Sequence, residues 1–203
     1  MKLYDSKLGP NPRRVRIFLA EKGIDVPKVE VDLAKGEQRA EDFAAINPLQ
    51  RTPALVLDDG TALTESVAIC RYFEETQPDP PLFGRGPLGK AQVEMWQRRA
   101  ELNFFLMVAN AYRHSHPGAA ALEQPQIAQV AEVSRGRALE FLMILDRVLG
   151  EREFLAGDTF TIADITALVA ADFMRPARIK MPDENKNVAR WHQTVSSRPS
   201  ARA

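Results

Sequence analysis

The stretch Asn47-Pro48-Leu49-Gln50-Arg51-Thr52-Pro53-Ala54-Leu55-Val56-Leu57-Asp58-Asp59-Gly60-Thr61-Ala62-Leu63-Thr64-Glu65-Ser66 decides how the chain is read. Ala54-Leu55-Val56-Leu57 is an apolar run of strand length. Asp59-Gly60 marks a hairpin turn into a second strand, Thr61 to Leu63. Pro53 stands immediately before the first run, where a proline removes a ladder donor. Two readings fit it. It is a plain strand-edge proline, or the Thr52–Pro53 peptide is cis and leaves the main chain of Thr52 open to a ligand. Glu65-Ser66 then opens a helix running to Glu75. Ser66 either caps that helix in the ordinary way or offers its hydroxyl and the free backbone N–H groups to an anion. In the second case Glu65 can receive a cation, so the pair suits the ammonium and carboxylate of an α-amino acid end.

Upstream, Lys2 to Tyr4 reads as a strand and Arg13 to Lys22 as a helix ended by Gly23. Asn11 is a good N-cap for that helix and Pro12 suits its first position. Arg13, Arg14 and Arg16 are unusual so close to a helix start, which already carries positive partial charge. They point into water, or they face a negative ligand group. Lys28 to Asp32 alternates Val29 and Val31 with charges and reads as a strand, followed by helical pieces around Ala40 to Ile46. The order β-α-β-α-β-β-α predicts an α/β domain over residues 1–77.

Downstream, residues 78–89 are rich in proline and glycine and read as a linker. Residues 90–203 show no credible strand and read as an all-helical bundle. Leu88 to His114 predicts a long helix. Its stretch Phe104-Phe105-Leu106-Met107-Val108-Ala109 is apolar on every side and is expected to be covered all round. Ile127, Val130, Ser134, Ala138, Phe141, Leu145 and Val148 trace a second helical stripe, and Val188, Trp191 and Val195 a third. Thr161-Ile162-Ala163-Asp164 has the spacing of a capping box, with Phe160 and Ile165 placed for a hydrophobic staple.

Composition narrows the function classes. Lys plus Arg and Asp plus Glu both number 27 among 203 residues, so the formal net charge is zero and a nucleic-acid partner is not expected. Near-zero net charge favours self-association. No apolar stretch approaches the roughly 20 residues of a membrane span, and the start carries no signal core. Cys70, the single cysteine, excludes an internal disulfide or Cys-based zinc site and reads as a buried small hydrophobe. A cytoplasmic protein without metal is expected.

Taken together and in order, these motifs resemble the glutathione S-transferase family. Tyr4-Asp5-Ser6, Arg13-Val15-Arg16, Leu19-Ala20, Lys35-Gly36-Glu37-Gln38, Asn47-Pro48, Thr52-Pro53 and Glu65-Ser66 are similar to its amino-terminal domain. The Thr161 to Asp164 box, Trp191 and Arg198-Pro199-Ser200 are similar to its carboxy-terminal domain. Gly9-Pro10-Asn11-Pro12, Lys35-Gly36-Glu37 and Arg99-Ala100-Glu101-Leu102 resemble the fungal and bacterial branch typified by the second yeast enzyme. The resemblance implies a thioredoxin-like first domain, a helical second domain, and a homodimer that takes glutathione as substrate rather than as cofactor. It implies that Thr52, beside cis Pro53, pairs its backbone with the cysteinyl part. Glu65 and Ser66 would hold the γ-glutamyl end, and Gln38, Arg51 and Lys35 would reach the glycyl end.

The thiol must also be activated. A free thiol has a pKa of about 8.5, and lowering it by about two units needs roughly 2.7 kcal/mol of preference for the anion. Tyr4 reads as core, Ser6 precedes the family's usual serine place, and Asn11 can donate a side-chain N–H. The resembling branch is thought to use a helix terminus with a water held by a Ser and a His. Those places fall here on Ala109 and Arg113, with His114 one position later. Asn110, Arg113 and His114 are the candidates to take over, and Phe105 with Asn110 and Arg113 to meet the second substrate. His114 and His116 also suit a helix end for purely structural reasons. The expected activity is conjugation of glutathione to small hydrophobic electrophiles. The alternatives are a glutathione-dependent peroxidase or disulfide reductase, or a non-catalytic relative that binds glutathione or a protein partner.

Overall fold

Four short strands build one sheet: β1 (Lys2–Asp5), β2 (Lys28–Glu30), β3 (Ala54–Val56) and β4 (Ala62–Thr64). The computed structural model describes all of residues 1–203. The order is β2-β1-β3-β4, with β1 parallel to β2 and antiparallel to β3, and β3 antiparallel to β4. The β3–β4 connection is the expected hairpin. Gly60 takes φ 87°, which only glycine adopts cheaply, and Thr61 N–H donates to Asp59 Oδ1 at 2.8 Å.

Helix α1 (Pro10–Lys22) and α3 (Ser66–Thr76) pack together, burying Val15, Phe18, Ile69 and Phe73 in the same core as Leu3 and Leu55. Gly23 ends α1 in the left-handed region, with Gly23 N–H on Ala20 O and Ile24 N–H on Leu19 O, a Schellman stop. Helix α2 (Glu41–Ile46) sets Phe43 on Val31 and Ala54, with the Tyr4 ring edge-on at 5.9 Å. Tyr4, read as core, is partly buried and packs against this cluster from its edge.

One expectation fails at the start of α1. The helix begins at Pro10, and Gly9 occupies the N-cap with φ 105° and no capping side chain. Pro10 has its φ preset for a first turn and lacks the N–H that a first turn leaves orphaned, so it starts the helix before Asn11. Asn11 is therefore inside the first turn and free of capping duty.

The chain divides into two compact units, residues 1–82 with 199–203, and residues 83–198. In the second unit α4 (Gly86–Arg99) starts within the stretch expected to be linker, because Gly86 takes φ 62° and Pro87 fills an early helical position. A π-helical segment, Ala100–Phe105, joins it to α5 (Leu106–Arg113), so the long helix is continuous but locally wide. Phe104 and Val108 are fully buried, whereas Leu102 is 42% and Leu106 37% exposed. The apolar stretch is thus not covered all round within one chain.

Helix α6 (Ala128–Leu149) buries Ala131, Ser134, Ala138, Phe141, Leu142, Leu145 and Leu149, leaving Ile127 exposed. Helix α7 (Ile162–Phe173) starts at the predicted capping box, and α8 (Lys186–Ser196) buries Val188, Trp191 and Val195 as read. Asp164 does more than cap. Its Oδ2 accepts from Thr161 N–H (3.0 Å) and the Thr161 hydroxyl (3.1 Å), its Oδ1 from Leu155 N–H (2.9 Å) and Trp191 Nε1–H (3.0 Å). Deep in the same unit, Thr166 Oγ1 donates to Gln97 Oε1 at 2.7 Å. No helix is long and apolar enough to cross a membrane.

Candidate functional site

Strand register collects the candidate residues of the first unit at one end of the sheet. Tyr4 and Thr64 both pair with Ala54, so the carboxyl ends of β1 and β4 flank the start of β3. Strand β2 runs parallel to β1, and Val31 N–H donates to Asp5 O at 2.7 Å, so the segment after β2 leaves from that same end. Ser6 and Asn11 follow β1, Lys35 and Gln38 follow β2, Arg51 to Pro53 precede β3, and Glu65-Ser66 follow β4. Topology thus brings all these segments to one end of the sheet.

The Thr52–Pro53 peptide is cis, which resolves the conflict between Pro53 and the strand behind it. Thr52 is 8% exposed and Arg51 lies on the surface. The preceding loop is shaped by buried Asn47, whose Nδ2 donates to Arg51 O (2.6 Å) while its Oδ1 accepts from Leu49 N–H (3.1 Å). An Asn before a proline is legible in sequence as a turn former. That it would reach back to hold the loop was not.

Glu65 is exposed and has φ 66°, ψ 116°, a conformation that costs a non-glycine residue about 1–3 kcal/mol. Such strain concentrates where a backbone is held for a purpose. Here it turns the chain abruptly from β4 into α3, so that Ser66 and the next N–H groups stand unpaired at the helix start. Lys35 is exposed and reaches Asp32 at 3.3 Å, whereas Gln38 is buried, with no hydrogen bond on its Oε1.

The three arginines of α1 do not point into open water; each has partners within the protein. Arg16 pairs with Asp5 at 2.9 Å and donates to Ser6 O at 2.8 Å, tying the β1–α1 loop to the helix. Arg13 donates to Ala201 O at 3.0 Å. Arg14, only 1% exposed, sends one nitrogen, Nη1, to both Asn11 Oδ1 (2.9 Å) and Ser66 Oγ (2.7 Å). Ser6, also buried, accepts from Leu8 N–H at 3.3 Å. The sequence carried a signal for Arg14: Arg14, Phe18 and Lys22 recur every fourth residue, on the face that Val15 and Leu19 mark as core-facing.

Cys70 lies one turn beyond Ser66, fully buried, and burial pushes its thiol well above the ordinary range although Arg14 acts against that shift. It is a core residue without thiolate character at neutral pH.

The remaining candidates belong to the second unit. His114 sits at the end of α5; its Nδ1 accepts from Ile127 N–H at 3.1 Å, and its Nε2 is 3.8 Å from Glu123 Oε1. A ring nitrogen that accepts carries no proton, so the proton resides on Nε2, facing Glu123. His116 stacks on Tyr112 at 4.6 Å and accepts from Gly118 N–H. Gln126 donates to the carbonyls of Arg113 and His116, closing the same loop. Asn110 and Arg113 are half-buried on α5, Phe105 is buried in the π-helical segment, and Ala109 has no hydroxyl to offer. No group of three or more His, Cys, Asp or Glu side chains is placed to hold a metal ion.

Comparison with known proteins extends this geometry. Residues 8–76 match the family model for the glutathione S-transferase N-terminal domain, and residues 98–199 that for the C-terminal domain. Glutathione S-transferase 2 of Saccharomyces cerevisiae is 36% identical over 100% of this chain and 88% of its own length. Glutathione S-transferase 3 of Zea mays is 32% identical over 98% of the chain and 90% of its own length. The crystal structure of Gtt2 from S. cerevisiae superposes with a TM-score of 0.94, covering 100% of this chain and 99% of that one at 36% identity. A glutathione S-transferase domain-containing protein from Marinobacter aquaeolei gives 0.95 at 39% identity, covering 98% and 99%.

Proposed function

The chain belongs to the glutathione S-transferase family, and on that premise we propose that it conjugates the glutathione thiolate to small hydrophobic electrophiles. One observation carries the reading: the end of the first unit's sheet gathers a cis Thr52–Pro53 edge, the unpaired start of α3 and a buried arginine. In this reading Thr52 pairs its backbone with the cysteinyl residue beside Pro53. Glu65 receives the γ-glutamyl ammonium and Ser66 its carboxylate, while Gln38, Arg51 and Lys35 serve the glycyl end. The Gln38 amide oxygen, buried without a hydrogen-bond partner, suits a ligand N–H there.

Thiolate activation falls to Asn11. Its Oδ1 is held by Arg14, so its NH2 is turned the other way as a donor. Ser6 is the second candidate. His114, whose Nδ1 already serves Ile127, is the third. Asn110 and Arg113, backed by Phe105, are proposed to meet the electrophile.

A pH titration of the bound thiol's ultraviolet absorbance, run beside an aryl halide conjugation assay, tests the reading. We expect a bound-thiol pKa about two units below the free value, together with conjugation. Ser66→Ala and Arg51→Ala should weaken glutathione binding more than they slow turnover of bound enzyme. Unshifted titration with no conjugation leaves a binding protein. A shifted pKa with peroxide turnover alone makes it a peroxidase.

Cytoplasmic action as a homodimer belongs to the same proposal. Leu88, Met95, Leu102 and Leu106 stand exposed down one long helix at intervals of whole turns. A second copy would cover them. Sedimentation should show a dimer that Leu102→Glu converts to monomer.

A further inference from the structure

We infer that Arg14 is the positioning residue of the tripeptide site, fixing the donor directions of both Ser66 and Asn11 through one buried nitrogen. The inference rests on the reading of that site as the glutathione site and adds to it a residue that never touches the ligand.

Arg14 has only donors, so whatever it meets must accept. At Ser66 the hydroxyl oxygen accepts at 2.7 Å, and the serine's own proton must then leave in another direction. At Asn11 the amide oxygen accepts at 2.9 Å, which fixes the orientation of an otherwise two-fold ambiguous group and sends NH2 away from Arg14. Ser66 opens α3 and Asn11 lies in the first turn of α1, so one nitrogen aligns donors at the starts of two helices. Without Arg14, the Ser66 hydroxyl is free to point its lone pairs at a carboxylate, and Asn11 is free to flip.

Burial makes the constraint stiff. Arg14 is 1% and Ser66 5% exposed, so water cannot substitute for the guanidinium without opening the core. Charge helps as well. In a medium of low polarisability the cation strengthens both hydrogen bonds and adds to the positive ends of α1 and α3. Its field is felt one turn further along α3, where it draws the Cys70 thiol downward against burial.

The test compares Arg14→Met, which keeps length and loses the donors, with Arg14→Lys, which keeps charge and a donor. Glutathione affinity is measured by calorimetry, with cysteinylglycine, which lacks the γ-glutamyl group, as a second probe. Arg14→Met should raise the glutathione Kd about tenfold and the bound-thiol pKa by about one unit, with little effect on cysteinylglycine affinity. Arg14→Lys should recover most of both. A general loosening of the fold would lower both affinities together. In the unmodified protein, which needs no variant to fold, the Arg14 guanidinium nitrogen resonances should shift on adding glutathione.

An unchanged Kd ratio and thiol pKa in folded Arg14→Met, or unmoved resonances at saturating glutathione, overturns the role of Arg14. Failure of glutathione to bind the unmodified protein overturns the functional reading beneath it.

Discussion

At the scale of single residues, Asp164 shows how far a local motif can be read. The capping-box spacing from Thr161 is visible in sequence, and the structure has it. The donors from Leu155 and Trp191 are not visible, because nothing in their local pattern announces a long-range partner. Together they let a fully buried carboxylate persist. Burial still dominates, pushing Asp164 up from 3.8 to about 6 while the hydrogen bonds pull it down. A carboxyl that titrates higher in the fold than in the unfolded chain contributes most below the unfolded value, and loses that contribution as pH rises through the folded one. We expect wild-type stability, relative to Asp164→Asn, to fall by about 3 kcal/mol between about pH 4 and pH 7. Urea midpoints of both proteins across that range check it. A difference independent of pH would show that the carboxylate is ionised throughout. The first unit repeats the lesson: Asn11, Thr52, Pro53 and Ser66 were legible as types in a pattern, but Asn11's partner was not.

At the scale of elements, α1 and α3 run parallel, and their contacts keep one register. Arg14 meets Ser66, and eight residues later on each helix Lys22 meets Glu74. Lys22 has a fully buried side chain, and its ammonium also donates to the carbonyls of Gln77 (2.8 Å) and Pro80 (2.6 Å), just past the end of α3. A buried pair gains little over an apolar one, but removing one partner strands the other's charge. Lys22→Met should therefore destabilise the protein by about 3–5 kcal/mol, and adding Glu74→Leu should recover much of that. Urea unfolding of the single and double variants measures the coupling. A single variant within about 0.5 kcal/mol of wild type would remove this pair from the account of how the helices are aligned. Helix positions were legible here from periodicity and from Gly23. Arg14 and Lys22 fall on the core-facing stripe of α1, but their partners on α3 were not legible, because a lysine or glutamate is ordinarily read as marking the solvent side. The π-helical segment was invisible for a different reason: its composition is that of any α-helix.

At the scale of the whole molecule, the first unit is discontinuous in sequence. The expectation placed all of residues 90–203 in the helical domain, yet Pro199–Ala203 fold with residues 1–82. The short 3-10 turn Pro199–Arg202 lies on α1: Arg13 donates to Ala201 O at 3.0 Å, and the Ser200 hydroxyl donates to Glu21. Ser200 and Ala201 are 7% and 8% exposed, so they are part of that unit's interior. Such a return is unreadable in sequence, since a five-residue tail has no periodicity to reveal what it covers. Ending the chain at Arg198 removes nothing from α6, α7 or α8, but takes two hydrogen bonds from α1 and exposes its Arg13–Glu21 face. We expect a loss of about 1–3 kcal/mol, from roughly 1 kcal/mol per neutral bond and more for one to a charged group. Amide hydrogen exchange locates it: protection should fall in α1 and the strands it covers while α7 keeps its own. Because Asn11 and Arg14 sit on α1, glutathione affinity should fall in the same variant. Faster exchange confined to α8, with α1 unchanged, would place the tail's contribution in the other unit.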